Sequence, residues 1–190
     1  MHKIRFFLMS RPRTPKPGKL FLSILSSKWE LFEDRLEPRL NLEFGEPDYT
    51  SELIPLSETG YYDRELGTPI FRKILTYKPL VGLDRLVELK LRTNELEKTE
   101  LSRDEKRLFN LDPGLLTLER LVLASGKNFT HRIYLNYGIW ADLTLIFSRG
   151  DWMDLPWTFP DYASEKIKMH LRTIRNIYHR QLKEQEQPVQ

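Results

Sequence analysis

Cysteine is absent from the 190 residues of this chain. Its absence excludes disulfide bonds, thiolate catalysis, Cys-ligated zinc and iron–sulfur clusters. It also fits a reducing compartment, so we expect a cytoplasmic protein. Histidine is scarce, with four in the chain, and His170 and His179 are nine residues apart, half a turn out of phase on a helix. A histidine-rich metal site is therefore not expected.

Long apolar runs and the standard nucleotide-binding and catalytic motifs are also missing. No segment approaches the ~18 consecutive apolar residues of a membrane span, so no membrane partner is expected. The sequence contains no G-x-x-x-x-G-K-[ST], G-x-G-x-x-G, G-x-S-x-G or H-E-x-x-H pattern. Residues 125–127 have the Gly-Lys pair of a P-loop, but they lack the upstream glycine and the following Ser or Thr. A conventional P-loop is therefore excluded.

The composition indicates one globular domain that is preceded by a basic N-terminal segment. Apolar residues make up 40% of the chain and charged residues 30%, which is enough apolar material for a single core. Six Lys or Arg and no acid occur in the first nineteen residues, leaving 24 basic against 27 acidic residues elsewhere. We predict a disordered, Pro-rich leader over 1–18, one domain over 19–183, and a frayed polar tail over 184–190. An arm that contacts a polyanion is the alternative for the leader.

The apolar pattern predicts an α+β fold with a mostly antiparallel sheet and about three main helices, the last packed across one face. The predicted strands cover residues 19–26, 49–56, 70–78, 115–124, 131–136 and 139–148, the last two forming a hairpin across 136–138.

The three predicted helices differ in how clearly they begin and end. Ser27 and Glu30 have the spacing of a capping box, so the first helix should begin near Lys28, and Pro38 should end or kink it. The second helix covers 83–101. The last begins after Asp161 or Ser164 and continues to about Lys183.

The second helix carries a polar stripe beside its apolar one. Lys90, Asn94 and Glu97 follow one another at helical spacing. They form either an ordinary solvated face or a row that points into a cleft at the edge of the core.

A second polar cluster lies in the loop before the hairpin. Lys127, His131 and Arg132 bring three cationic or potentially cationic groups into six residues. Lys127 and Arg132 suit an anion, because a loop after Ser-Gly presents N–H groups and Arg forms a bidentate fork. His131 titrates near neutrality and suits acid–base work. The alternative is a solvated hairpin loop.

A third cluster centres on residues 110–114, with the sequence Asn-Leu-Asp-Pro-Gly. Asn110 and Asp112 offer hard oxygen donors of the kind that Mg²⁺ accepts together with substrate phosphates. The same letters are also typical of a plain β-turn. Further along the chain, Asp142 and Asp161 complete the candidate site, and we class His131, Asp112 and Asp142 as candidate catalytic residues. Trp157, Phe159 and Tyr162 could wall a pocket or cover the edge of the core.

Several segments together resemble an uncharacterised prokaryotic family, domain-of-unknown-function family 4416. The matching segments are 19–22, 60–67, 89–97, 110–114, 121–124, 127–135, 138–139 and 156–162. The resemblance covers roughly residues 19–178 and leaves the basic leader outside. Family members tend to carry Glu at the position of Asp142. This chain therefore keeps a carboxylate there, on a shorter side chain. Some members are labelled GTP-binding proteins, which implies nucleotide binding without a P-loop as one alternative.

Two classes of function remain open from the sequence. The first is a cytoplasmic enzyme or binding protein for a phosphorylated small molecule or nucleotide. In it Lys127 and Arg132 hold the anion, while Lys90, Asn94 and Glu97 form the opposite wall. The second is a non-enzymatic module that binds RNA through the leader and exposed aromatic residues, or that binds another protein.

Overall fold

The computed structural model describes residues 11–100 and 106–186. Within them, nine strands form one antiparallel sheet: β1 Gly18–Ser26, β2 Pro47–Thr50, β3 Ile54–Pro55, β4 Phe71–Val81, β5 Asn110–Leu116, β6 Arg120–Ser125, β7 Arg132–Asn136, β8 Ile139–Ser148 and β9 Asp151–Asp154. The strand order is β2-β4-β1-β5-β6-β8-β7, with β3 beside β4 and β9 beside β8. The helices are α1 Glu37–Phe44, α2 Asp63–Leu66, α3 Leu86–Thr99, α4 Pro160–Ala163 and α5 Glu165–Glu186. The predicted α+β fold with one antiparallel sheet is confirmed.

Both faces of the sheet are covered, which explains why its central strand has no polar alternation. All nine residues of β1 are buried. Leu22 lies in a cluster with apolar residues of α1 and α3, whereas its neighbour Phe21 lies in a cluster with apolar residues of α5. A strand that is buried on both faces reads as a continuous apolar run.

The hairpin between β7 and β8 forms where the sequence predicts it. Tyr137 and Gly138 both have positive φ angles, 49° and 75°. Two such residues in succession make the type I′ turn that suits the twist of a two-residue hairpin. The pairing of β7 with β8 shifts by one residue between Tyr134 and Asn136.

Two strand predictions and one alternative interpretation as a turn need correction. Residues 115–124 are not one strand, since β5 and β6 are separated by a tight turn in which Thr117 N–H donates to Arg120 O at 2.9 Å. Residues 49–56 divide into β2 and β3, which pair with different parts of β4. Residues 110–114 are not a turn but part of β5, because Asp112 and Pro113 pair with β1. Tertiary pairing overrides the local turn preference there.

The first helix also differs from its prediction. Lys28 N–H bonds to Ser26 Oγ at 2.8 Å, and the Ser27 hydroxyl donates to Leu66 O, so Ser27 forms no capping box. A 3₁₀ turn and a π-type turn lead into α1, and Pro38 lies in its first turn. Proline is accepted in the first turn of a helix because its fixed φ angle is already helical.

The ends of the chain are described only in part. Residues 1–10 and 187–190 lie outside the described residues, and so do 101–105 after α3. Residues 11–17 have no regular secondary structure, and the first strand, β1, begins at Gly18. None of the helices in the described ranges is both long and apolar enough to cross a membrane.

Candidate functional site

The sheet opens between β5 and β6, and the sequence of β5 explains where. The β5–β6 ladder joins only Gly114–Leu116 to residues 121–123. At Gly114 the strands are so close that a Cβ atom would lie 2.7 Å from Val122 O. One residue earlier, Pro113 has no N–H to donate. A proline inside a strand marks the end of a ladder, so the two strands separate on that side of Gly114.

Helix α3 supplies the partners that β6 no longer provides. The N–H of Leu111 donates to Glu97 Oε1 at 2.6 Å, and Lys90 Nζ donates to Leu111 O at 2.8 Å. Alternate residues of a strand turn their peptide groups to the same edge. Leu111, Pro113 and Leu115 therefore share the β6 edge, and only Leu115 has a β6 partner. Two members of the predicted polar stripe thus hold the opening apart.

A cavity of about 720 Å³ occupies this opening. It brings together segments that are far apart in the sequence. Nine of the ten predicted site residues line it: Lys90, Asn94, Glu97, Asn110, Asp112, Lys127, Arg132, Asp142 and Asp161.

One wall is built around Arg107, which the sequence did not single out. Its guanidinium donates to both carboxylate oxygens of Glu65, at 2.5 and 2.7 Å, to Glu97 at 2.7 Å and to Asn110 Oδ1 at 3.0 Å. Asn110 in turn donates to Asp112 at 2.6 Å. The Arg107 bonds hold the pKa of Glu65 below its usual value, whereas burial raises the pKa of Glu97. In this wall the carboxylates of Glu65, Glu97 and Asp112 are each held in place by a hydrogen bond from Arg107 or Asn110.

The opposite wall is built around Asp142 on β8, which is buried. Arg132 Nε donates to Asp142 Oδ2 at 2.8 Å, and Arg132 Nη1 donates to Lys127 O at 2.9 Å. These two contacts tie the 125–132 loop to the sheet. Because Arg132 neutralises Asp142, this wall presents Lys127 as a positive charge without a carboxylate partner among the described residues.

His131 does not line the cavity, unlike its two cationic neighbours. Its Nε2 lies 3.2 Å from Asp142 Oδ2, and its ring stacks on Trp157 at 5.2 Å with an interplanar angle of 9°. Its side chain is almost fully covered. The acid–base role of His131 stays a prediction, and in this position the ring contacts Asp142 and Trp157 rather than the cavity.

A buried arginine lines the cavity beside Asp161 and Tyr162. Arg72 on β4 is 4% exposed, donates to Asp161, and lies 4.4 Å from the ring centre of Tyr162. Its Nε and Nη1 atoms have no hydrogen-bond partner within the described ranges. Burial raises the pKa of Tyr162, so that hydroxyl stays protonated at neutral pH. This part of the cavity therefore combines a buried Arg72–Asp161 ion pair with an aromatic surface.

Aromatic rings lie beside the two cations of the 125–132 loop, Lys127 and Arg132. Lys127 Nζ lies 4.6 Å from the ring centre of Tyr61 and donates to its hydroxyl. The Arg132 guanidinium lies 6.0 Å from the ring centre of Phe159. Phe159 and Tyr162 line the cavity, as the sequence suggested, whereas Trp157 supports His131 instead.

A preformed metal site is not present among the described residues, where no three His, Cys, Asp or Glu side chains are grouped to hold a metal. Both oxygens of Asp112 already accept hydrogen bonds, from Lys90 at 3.3 Å and Asn110 at 2.6 Å. Binding of Mg²⁺ stays a prediction, and the metal would arrive with the phosphates of a ligand.

Comparison with known families agrees with the resemblance seen in the sequence. The family model described as Domain of unknown function (DUF4416) matches residues 16–178. The chain belongs to this family. The match begins two residues before β1 and ends in α5, so this DUF4416 domain includes the whole sheet and the cavity. No curated protein and no solved structure shows a significant match to the chain.

Proposed function

We propose that this DUF4416 chain is a cytoplasmic protein that binds a phosphorylated small molecule, with nucleotides as the best-fitting class. The observation that carries the proposal is the convergence of the 125–132 loop, β5 and α3 on one cavity of about 720 Å³. Ligand pockets commonly have volumes of roughly 300–1,000 Å³.

The phosphate group belongs at the Lys127 end. Within the described ranges the Lys127 ammonium group donates only to the Tyr61 hydroxyl, and Arg132 makes no hydrogen bond through Nη2. Both groups can therefore take up phosphate oxygens without breaking an existing ion pair. Charge-assisted bonds of this kind are the strong ones in phosphate recognition.

The remainder of the ligand faces the α3 wall and the aromatic rings. Asn94 lies between Lys90 and Glu97, lines the cavity, and has no side-chain hydrogen bond in the described part of the chain. It is thus available to a hydroxyl, a base amide or a base amine. Tyr61 and Phe159 offer faces for a planar ring, and stacking on such rings tolerates many bases.

Asp112 is the carboxylate that we assign to acid–base chemistry if the bound molecule reacts. It lies beside the ligand space, whereas Asp142 is neutralised by Arg132 and His131 lies outside the lining. Lys90 and Asn110 hold the Asp112 carboxylate in one orientation. The proposal for binding does not depend on this assignment.

A thermal-shift panel tests the binding proposal. Nucleotides including GTP, sugar phosphates and inorganic phosphate are added with and without Mg²⁺. A ligand at ~100 times its dissociation constant stabilises the folded state by ~2.7 kcal/mol. We expect at least one phosphorylated compound to stabilise the wild type and Lys166→Ala but not Lys127→Ala.

The two variants form a matched pair. Each removes one exposed lysine ammonium, but Lys166 lies on α5, outside the cavity lining. Equal stabilisation of both variants would place the ligand elsewhere. No stabilisation of the wild type by any compound would contradict the proposal.

A further inference from the structure

Strand β7 is the last strand of the sheet and has one open edge. Within the described part of the chain it pairs with β8 and with no other strand. The N–H of Arg132 donates to Phe129 O rather than to β8. By the alternation of peptide groups along a strand, Tyr134 also turns its N–H and C=O to the open side. A row of unpaired peptide groups of this kind is a template for pairing with another chain.

The same edge carries most of the exposed apolar surface. Of thirteen large hydrophobic side chains exposed in the described residues, eight lie between residues 129 and 159, on β7, on β9 or in the adjoining loops. They are Phe129, Ile133, Tyr134, Leu135, Tyr137, Met153, Trp157 and Phe159. We call this group the β7 patch. The rings of Phe129, His131 and Trp157 are contiguous, which joins the strand to the loop after β9.

The order of side chains in β7 is self-complementary. An antiparallel copy related by a two-fold axis through Tyr134 would place Tyr134 opposite itself and Ile133 against Leu135 of the copy, where the register shift of β7 between Tyr134 and Asn136 adds one residue to the strand. Arg132, the only charged residue of the strand, would face Asn136, so no like charges meet. Aromatic and aliphatic pairs across strands each contribute roughly 0.2–1 kcal/mol.

The exposed area also suits a second copy. The five aromatic rings of the β7 patch are between 38% and 74% exposed. With about 200 Å² for each ring, they expose on the order of 500 Å² per chain. A stable interface buries about 800 Å² per partner. The aromatic residues alone thus supply more than half of that area, before Ile133, Leu135 and Met153 are included.

We propose that two copies of this chain associate through β7, antiparallel about a two-fold axis at Tyr134, so that their sheets become continuous. The closed two-fold arrangement satisfies the open edge of both chains at once, which an open-ended association would not. The inference does not require the proposed ligand, although Phe159 of the β7 patch and Arg132 of β7 also line the cavity.

Light scattering after size-exclusion chromatography tests the association with the full chain. We expect a particle of twice 22.7 kDa for the wild type in the micromolar range. Ile133→Lys should give the monomer mass, because a charge would then face the apolar side of the partner strand. Leu42→Lys, at a site 90% exposed on α1, is the matched control and should remain dimeric. A monomeric wild type, or a dimer that survives Ile133→Lys, overturns the proposal.

Oxidative cross-linking tests the register and does not depend on how Ile133→Lys folds. The chain has no cysteine, so Tyr134→Cys introduces one thiol per protomer. Directly opposed, hydrogen-bonded residues have Cα atoms about 5.5 Å apart, within the range that a disulfide spans. Tyr134→Cys should form a covalent dimer under mild oxidation, and Leu42→Cys should not. Equal cross-linking of the two variants would contradict pairing at β7, and single-stranded RNA binding by a monomeric chain would assign the patch to nucleic acid instead.

Discussion

Replacement of Lys90 by methionine tests whether α3 substitutes for the missing strand pairing at Leu111. Lys90→Met keeps the apolar stem of the side chain and removes the ammonium group that bonds to Leu111 O at 2.8 Å. The Leu111 carbonyl is then left in a buried position without a partner. Asp112 also loses a contact at 3.3 Å, but it keeps its hydrogen bond from Asn110.

The expected loss of stability follows from the burial of both groups. Lys90 is 7% exposed and Leu111 is fully buried, so solvent screens their contact little. A hydrogen bond to a charged group contributes roughly 1.5–3 kcal/mol. The wild-type lysine also carries a desolvation cost that methionine avoids, which places the expected destabilisation near the lower end, at about 1.5–2 kcal/mol.

Urea unfolding followed by circular dichroism measures the effect, at one fixed protein concentration. Lys90→Met should lower the midpoint without changing the slope, which is the signature of altered stability alone. Asn94→Ala is the control on the same stripe of α3, because Asn94 lines the cavity and has no side-chain hydrogen bond in the described ranges. Its stability should stay within about 0.5 kcal/mol of the wild type. If Lys90→Met is no less stable than Asn94→Ala, the α3 contacts do not hold the opening.

Two further predictions concern the sheet and one buried histidine. Gly114→Ala should destabilise by about 1–3 kcal/mol in the same urea assay, because its Cβ would meet the Val122 carbonyl at 2.7 Å. Gly126→Ala, where nothing lies within 4 Å, should not. Burial lowers the pKa of His170 below its usual 6.5. The folded chain therefore favours neutral His170. The resulting contribution to the free energy of unfolding is fully present above pH 6.5 and is lost as the pH falls below 6.5. Melting temperatures from pH 8 to 5 should fall less steeply for His170→Gln, and an unchanged slope would contradict the assignment.

The elements that the sequence predicts well are those with a local cause. The apolar run of β1 and the Tyr137-Gly138 turn need no distant partner to be recognised, and both are found. Pro113 marked the end of the strand ladder in the sequence, but the residues around it were also compatible with a turn. Asp-Pro-Gly is typical of a turn, yet a proline within a strand also marks the end of a ladder, and in this chain that end is where the cavity begins.

The residues that the sequence missed depend on contacts between distant segments. Arg107 joins Glu65, 42 residues away, and Arg72 joins Asp161, 89 residues away. Neither arginine belongs to a motif, so only the pairing of the strands brings it to the cavity. His131 illustrates the converse. The sequence places His131 in the same loop as Lys127. In the structure its ring stacks on Trp157 and contacts Asp142, outside the cavity lining.

The most direct test of the central claim is an NMR titration with ¹⁵N-labelled chain. A phosphorylated ligand chosen from the thermal-shift panel is added to the wild type and to Asn94→Ala. We predict that the largest amide shift changes fall in residues 125–132, at 110–112 and on the cavity side of α3, and that Asn94→Ala weakens binding without loss of stability. Shift changes confined to α5 or to residues 133–137, with the cavity amides unmoved, would contradict the claim that the opening between β5 and β6 is a ligand site.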